Sequence, residues 1–378
     1  MKKEIADLIE ISRYYGGKKD FVLGGGGNTS YKDRDFLYVK ASGFALETIT
    51  EEGFAILDRQ KLGSMMARQY SQDTFVREQE VMEDLMNAVK SGSRKLRPSV
   101  EASLHNIIDY PFVVHTHPCL VNALLCANDA ETMAKVLFDN RILYVPYTDP
   151  GYVLSVTVSE KLADFRTAHG FDPRVILLQN HGVFVGGDTV TEVKEIYSDV
   201  LQRIGKRTGS VTISSLDHKI PADEVFTMLS DVMEENNCFR YSYDSMVAHF
   251  TKDWDSLSRV DKPFIPDQIV YCKAYPAVIP ATQDRSNLPK SIDKEIGAYI
   301  KKYGSEPRVI LFEKGPVIAA DKSEGSSGLV LDVFLDAMKI SFYSNFFGGP
   351  HFMSEEQIKF IEQWEVEQYR RKISTDNN

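Results

Sequence analysis

Apolar residues at Ile5, Leu8 and Ile9 recur at helical spacing and predict an amphipathic helix over the first 16 residues. The apolar "FVL" at 21–23 predicts a short strand running into four glycines, followed by a hairpin-like "YKDRD" and the strand "FLYVKAS". "EEGFAILDRQKLGSMMARQY" predicts a short strand and then a helix, and a polar helix follows at about 75–91. Helical spacing returns at Val100, Leu104 and Ile107. "FVVHTH", 112–117, predicts a strand, and "PCLVNALLCAND" a helix opened by Pro118, a residue suited to a first helical turn. "RILYVPY" predicts a strand, "TDPG" a turn, and "VSEKLADFRTAHG" a helix closed by glycine. "RVILLQNHGVFVGG" predicts two strands joined tightly at "NHG", and "TVTEVKEIYSDVLQRIGKR" a capped amphipathic helix. Alternating strands and helices with antiparallel hairpins predict an α/β fold.

The pattern changes after about residue 210. Residues 221–237 look helical, and the proline-rich "DKPFIPDQIVYCKAYPAVIP" predicts a linker and an edge strand. "PRVILFEKGPVIAAD" from Pro307 echoes "PRVILLQNHGVFVGG" from Pro173, and in that register Gly315 falls where His181 stands. "MSEEQIKFIEQWEVEQYRRK" predicts a final helix, with Ser354 and Gln357 as a capping box. The expected organisation is a domain over 1–210 and a smaller α/β extension over 211–378, a degenerate half-repeat without metal ligands.

Composition narrows the partners. Lys plus Arg is 44 against 54 Asp plus Glu, a formal net charge of −10, which disfavours nonspecific nucleic-acid binding. Cys119, Cys126, Cys238 and Cys272 form no CxxC pair, so reduced thiols in a cytoplasmic protein are expected rather than a zinc knuckle. Glu4, Asp7 and Glu10 interrupt any signal-peptide core, and no apolar run is long enough to span a membrane.

Only eight histidines occur, and two of them are one residue apart. In an extended strand His115 and His117 project to one side, with Cα atoms roughly 7 Å apart. The pair fits two readings: hydrogen-bonded core histidines, or two ligands of a cation. His181, in the "NHG" turn, supplies a third nitrogen, and three protein ligands with an open position describe a catalytic zinc site. His105, His169, His218, His249 and His351 show no such pattern and are expected at the surface or in packing. Glu101, at the start of the predicted helix, fits a helix-dipole partner or a general base beside the metal. "GGGGNTS" fits a flexible turn or an anion nest, with Asn28, Thr29 and Ser30 as donors and "KASG" (40–43) and Ser99 nearby. It is neither a Walker A motif nor a GxGxxG opening a helix, so no NAD is expected.

The order "GGNTS", "KASG", "PSVE", "HTH", "PY…PG", "NHG" resembles the class II aldolase/adducin family, over about Phe21 to Arg207. The resemblance implies a three-layer αβα fold with a central mixed or antiparallel sheet. It implies one zinc or other divalent ion per chain on His115, His117 and His181, with Glu101 as acid/base carboxylate. Asn28, Ser42, Gly43 and Ser99 match the family's phosphate-binding positions; Thr29 joins that set from the glycine-run reading. Val100 replaces the usual second hydroxyl residue, which loses or moves one phosphate contact. Tyr147 matches a tyrosine that acts in a neighbouring subunit's site, and a homo-oligomer, a tetramer foremost, is implied.

"SVEASLH…FVVHTHP…VNAL" and the downstream segments are closer to the aldolase portion of bacterial bifunctional rhamnulose-phosphate aldolase/alcohol dehydrogenases. The expected activity is metal-dependent cleavage of a ketose 1-phosphate to dihydroxyacetone phosphate and an aldehyde. Epimerases, dehydratases and decarboxylases of sugar phosphates share such a site, and adducin-like scaffolds share the fold without the ligands.

Overall fold

Residues 2–92, 96–217 and 220–364 are described by the structure, a computed structural model. The chain forms two compact units, Met1–Thr208 and Gly209–Asn378. Among the described residues no helix is long and apolar enough to cross a membrane.

The first unit runs α1 (Lys3–Gly16), β1 (Asn28–Lys32), β2 (Phe36–Lys40), β3 (Phe54–Asp58), α2 (Arg59–Met65), α3 (Thr74–Ala88), α4 (Ala102–Ile107) and β4 (Phe112–Thr116). It continues through α5 (Cys119–Leu125), α6 (Ala130–Phe138), β5 (Leu143–Val145), α7 (Tyr152–His169), β6 (Val175–Leu178), β7 (Gly182–Gly187) and α8 (Val190–Thr208). Its strands form one mixed sheet in the order β3-β2-β1-β4-β7-β6-β5, antiparallel throughout except for the parallel β5–β6 pair. Helices cover both faces. Leu104 and Ile108 at α4 and Leu154, Val158, Leu162 and Phe165 of α7 pack on Val113, Val145, Ile176 and Phe184. The alternate residues of β4 face the other layer, where Thr116 Oγ1 meets Tyr197 Oη of α8 at 2.9 Å.

The apolar "FVL" forms no strand. Phe21 and Val22 donate their N–H groups back to Lys18 O in a turn, and the first strand begins after the glycines, at Asn28. Val22 is apolar because the loop is buried, not because it is extended.

The second unit comprises α9 (Ala222–Ser230), β8 (Cys238–Ser242), α10 (Ser245–Thr251), α11 (Trp254–Leu257), α12 (Pro266–Cys272), β9 (Ala277–Ile279), α13 (Leu288–Tyr303), β10 (Val309–Phe312), β11 (Val317–Asp321), α14 (Glu324–Ser344) and α15 (Glu355–Gln363). Its sheet order is β8-β11-β10-β9, with only β9–β10 parallel. The proline-rich stretch does supply an edge strand, β9, but its first part is no linker: Pro266 opens α12, whose seven residues are all buried. His218 and the part of the expected final helix beyond Trp364 lie outside the described residues.

The second sheet follows the path of half of the first. The helix-ending glycines Gly170 and Gly304, the strand starts Val175 and Val309, and the left-handed turn residues Asn180 and Lys314 are each 134 positions apart. Gly315 donates its N–H to Phe312 O where His181 donates to Leu178 O.

Candidate active site

The site lies at the end of β4, on the face covered by α4. β4 ends at Thr116, and the chain turns because the His117 and Cys119 N–H groups donate to the carbonyls of Phe21 and Asp20, both at 3.1 Å. Gly27 has φ +71°, and a Cβ there would stand 2.9 Å from His115 O, so only glycine lets this loop approach the strand. On the other side, the β6–β7 turn places Asn180 in the left-handed region and aims His181 at the same point. The next residue, Gly182, has no room for a side chain: a Cβ would meet His117 Cδ2 at 2.5 Å and Thr116 O at 2.7 Å. The glycine of "NHG" is therefore a space requirement of the histidine pair.

His115, His117 and His181 come together, with their ligating atoms all within 4.8 Å of one another. His115 Nε2 and His117 Nε2 are 3.0 Å apart. Two nitrogens of a tetrahedral zinc site, each roughly 2.0–2.1 Å from the ion, lie roughly 3.3 Å apart. His115 Nδ1–H donates to Val183 O at 3.0 Å, which leaves Nε2 as the lone-pair nitrogen facing the cluster. Three imidazoles converging on one point fit a divalent cation.

Glu101 caps α4 and is buried at 7% exposure. Its Oε1 lies 3.4 Å from both His115 Nε2 and His181 Nε2, so the carboxylate sits against two of the three imidazoles. Asn28 donates to its other oxygen, Oε2. This contact follows from sheet register, since Asn28 stands opposite His115 in the β1–β4 ladder.

The expected anion-binding residues divide into two groups. Ser99 Oγ accepts from the Glu101 N–H at 3.2 Å, and Ser42 N–H donates to Arg97 O at 2.9 Å, so the 41–43 and 97–99 segments run together beside Glu101. Gly43, at φ +90°, turns the chain just after them. Thr29 is a correction. Strand alternation turns it to the opposite face from Asn28, where its hydroxyl meets Ser12 Oγ of α1 at 2.6 Å in the fully buried interior. Ser30, read as a possible donor to an anion, instead meets His105 Nδ1 at 2.7 Å.

Tyr147 lies in the loop after β5, and its N–H donates to Gln179 Oε1 of the "NHG" turn at 3.1 Å. Burial and the Asp149 carboxylate push its phenol pKa up. Its hydroxyl makes no hydrogen bond to the three histidines among the described residues.

Two residues that the sequence reading passed over stand behind the site. His105 is fully buried, and burial, followed by the charges of His115 and Lys32, holds its pKa well below the usual histidine range, so the ring is neutral. Lys32, on β1, donates to His105 O at 2.8 Å, and burial and the Arg59 charge lower its pKa to about 7 against a smaller opposing effect of Asp109. The alternation Asn28, Ser30, Lys32 was the signal that could have found them: three polar side chains on one face of an interior strand.

Residues 6–200 match the family described as the class II aldolase and adducin N-terminal domain. Over 99% of its length the chain is 25% identical to the uncharacterized oxidoreductase YuxG of Bacillus subtilis, of which it spans 59%. It is also 25% identical, over 54% of its own length and 94% of the relative's, to an L-fuculose phosphate aldolase of Methanococcus maripaludis. Among solved structures, the N-terminal class II aldolase domain of a Thermoplasma acidophilum protein is similar at 26% identity and a TM-score of 0.45, covering 53% of this chain and 92% of that one. The family match takes in just over half of the chain and every residue of the histidine–glutamate site, and the chain belongs to the class II aldolase and adducin N-terminal domain family.

Proposed function

We propose that the protein is a metal-dependent aldolase that cleaves a ketose 1-phosphate of the rhamnulose or fuculose type to dihydroxyacetone phosphate and an aldehyde. The observation that carries this reading is the position of Glu101, whose Oε1 is 3.4 Å from ring nitrogens of two of the three clustered histidines. The similarity to an L-fuculose phosphate aldolase supports the substrate class. His115, His117 and His181 would hold one divalent ion, with zinc the best match to an all-nitrogen set with an open position. When bound, the ion would supply Lewis acidity toward the substrate's ketone and adjacent hydroxyl oxygens.

The chain's own residues do the rest. In cleavage, the bond between C3 and C4 breaks and its electron pair is left on C3, in conjugation with the C2 carbonyl. Glu101, in its protonated form, delivers a proton to C3; the C4 hydroxyl gives its proton to water as the aldehyde forms, and Glu101 takes a proton back from solvent, so the transfers cancel. Asn28 holds the carboxylate through Oε2 and leaves Oε1 to face the reacting carbon. Ser42, Gly43 and Ser99 line the same side and would take the phosphate through N–H and hydroxyl groups. Tyr147 would serve the aldehyde oxygen from a neighbouring subunit of a homo-oligomer.

His181→Ala should abolish metal retention and retro-aldol activity together. Activity that survives loss of the metal would refute the scheme. Assay on a panel of ketose and sugar-acid phosphates distinguishes cleavage from epimerisation, dehydration and decarboxylation.

A further inference from the structure

We infer that Ser30 and His105 are a positioning pair that fixes Glu101 and His115 relative to each other. The inference rests on Glu101 being the acid/base carboxylate. β1 presents Asn28, Ser30 and Lys32 to α4 at alternate positions, and each makes one polar contact there: Asn28 with the Glu101 carboxylate, Ser30 Oγ with His105 Nδ1 at 2.7 Å, and Lys32 with His105 O at 2.8 Å. Glu101 and His105 are one helical turn apart, tied by His105 N–H donating to Glu101 O at 3.0 Å. Locking the His105 ring to β1 therefore locks the backbone that carries Glu101.

The same ring reaches the metal-site side. His105 meets the Phe184 ring edge-on at 5.3 Å between centroids, and Phe184 stacks on His115 at 4.0 Å. One imidazole thus supports the carboxylate through the helix and a ligand through an aromatic spacer. Its cost argues that it is more than filling. His105 is completely buried, and its Nε2 has no hydrogen-bond partner among the described residues. A phenylalanine would fill the space without a buried unpaired nitrogen. What phenylalanine could not do is make the Ser30 contact, which adds a third tie between α4 and β1 to those of Asn28 and Lys32, and a displacement of about 1 Å at a reacting group can cost about 100-fold in rate.

The test uses the zinc-loaded full chain with Ser30→Ala, His105→Phe, His105→Asn and His105→Gln. The readout is exchange of the carbon-bound proton of dihydroxyacetone phosphate with D2O, followed by NMR, together with metal content and thermal midpoint. Ser30→Ala and His105→Phe should lower the exchange kcat by about 10- to 100-fold, with KM within about twofold and zinc content unchanged. His105→Asn, which offers an amide near the Nδ1 position, should recover much of the rate; His105→Gln, which places its amide near Nε2, should not. An unchanged rate in His105→Phe overturns the inference. So does a loss that merely follows metal content and thermal midpoint in all four variants. If the wild type itself exchanges no proton, the aldolase reading fails. Crystal structures then still decide the pairing: the Glu101 carboxylate should leave the histidine nitrogens in His105→Phe, and an unmoved carboxylate refutes it.

Discussion

Residue by residue, the chemistry of the site was more legible than its support. His115, His117, His181 and Glu101 are polar groups in apolar surroundings, and that contrast can be read in a one-dimensional string. Thr29 was misjudged because a glycine-rich run gives no sign of where strand alternation starts. Once β1 begins at Asn28, Thr29 must face α1. Lys32 went unnoticed because a lysine beside "DRD" looks like a surface residue, yet it is buried at 5% exposure. Its pKa, lowered by burial to about 7 from 10.5, has a measurable consequence. Below pH 7 both folded and unfolded chains carry the charge, and the folded state bears the full burial cost. Between pH 7 and 10 the folded lysine is neutral while the unfolded one is still protonated, so the wild type gains stability as pH rises. The stability of Lys32→Met relative to wild type should therefore fall by about 1.4 kcal/mol per pH unit across that window, measured by urea unfolding. A difference independent of pH would show that the folded Lys32 keeps its proton up to the ordinary lysine range and that burial does not lower its pKa.

Elements were legible where one physical cause dominated. The β6–β7 hairpin reads directly from two apolar runs around "NHG", and α7 from its closing glycine, although the helix begins at Tyr152, ahead of the expected start at Val158. "FVL" misled because an apolar triplet signals burial before it signals a strand, and here the burial belongs to the turn that anchors His117. In "KPFIPDQIVYC" proline suggested a linker, but at the first helical position its missing N–H costs nothing. The hairpin also makes a sharp demand on Gly182. Gly182 needs no glycine-only backbone angle, but an alanine Cβ would press on Thr116 O of β4 as well as on the His117 ring, so Gly182→Ala should spread the β4–β7 pair locally and push the ring out of the cluster. Zinc affinity should fall by about 10- to 100-fold, an effect typical of disturbed ligand orientation, as read by competition with a chromophoric chelator. Affinity equal to wild type would mean that the histidine pair adapts freely.

At the scale of the whole molecule, two sheets share one chain path but not one chemistry. The β8–β11 register sets Tyr241 opposite Ile318, as β4–β7 sets His115 opposite Phe184; Tyr243 follows two positions later, and Gly315 stands where His181 would be. No metal-ligating group of three or more residues other than His115, His117 and His181 occurs among the described residues. Metal analysis of the full chain should therefore give one tightly held ion per chain; a value near two would require ligands from elsewhere. The short sequence echo exposed this likeness at the hairpin alone, because β8, β9 and α13 keep the path without keeping the residues. The first sheet also bears on kinetics. Its site needs β4 seated between β1 and β7, so Asn28, His115 and Phe184 meet only after long loops have closed. We expect contacts that wait on such closures to complete on the native side of the folding barrier. Zinc should thus act as a brake on escape rather than an aid to assembly: stopped-flow measurements in denaturant should show slower unfolding with the metal bound and a refolding rate that does not change.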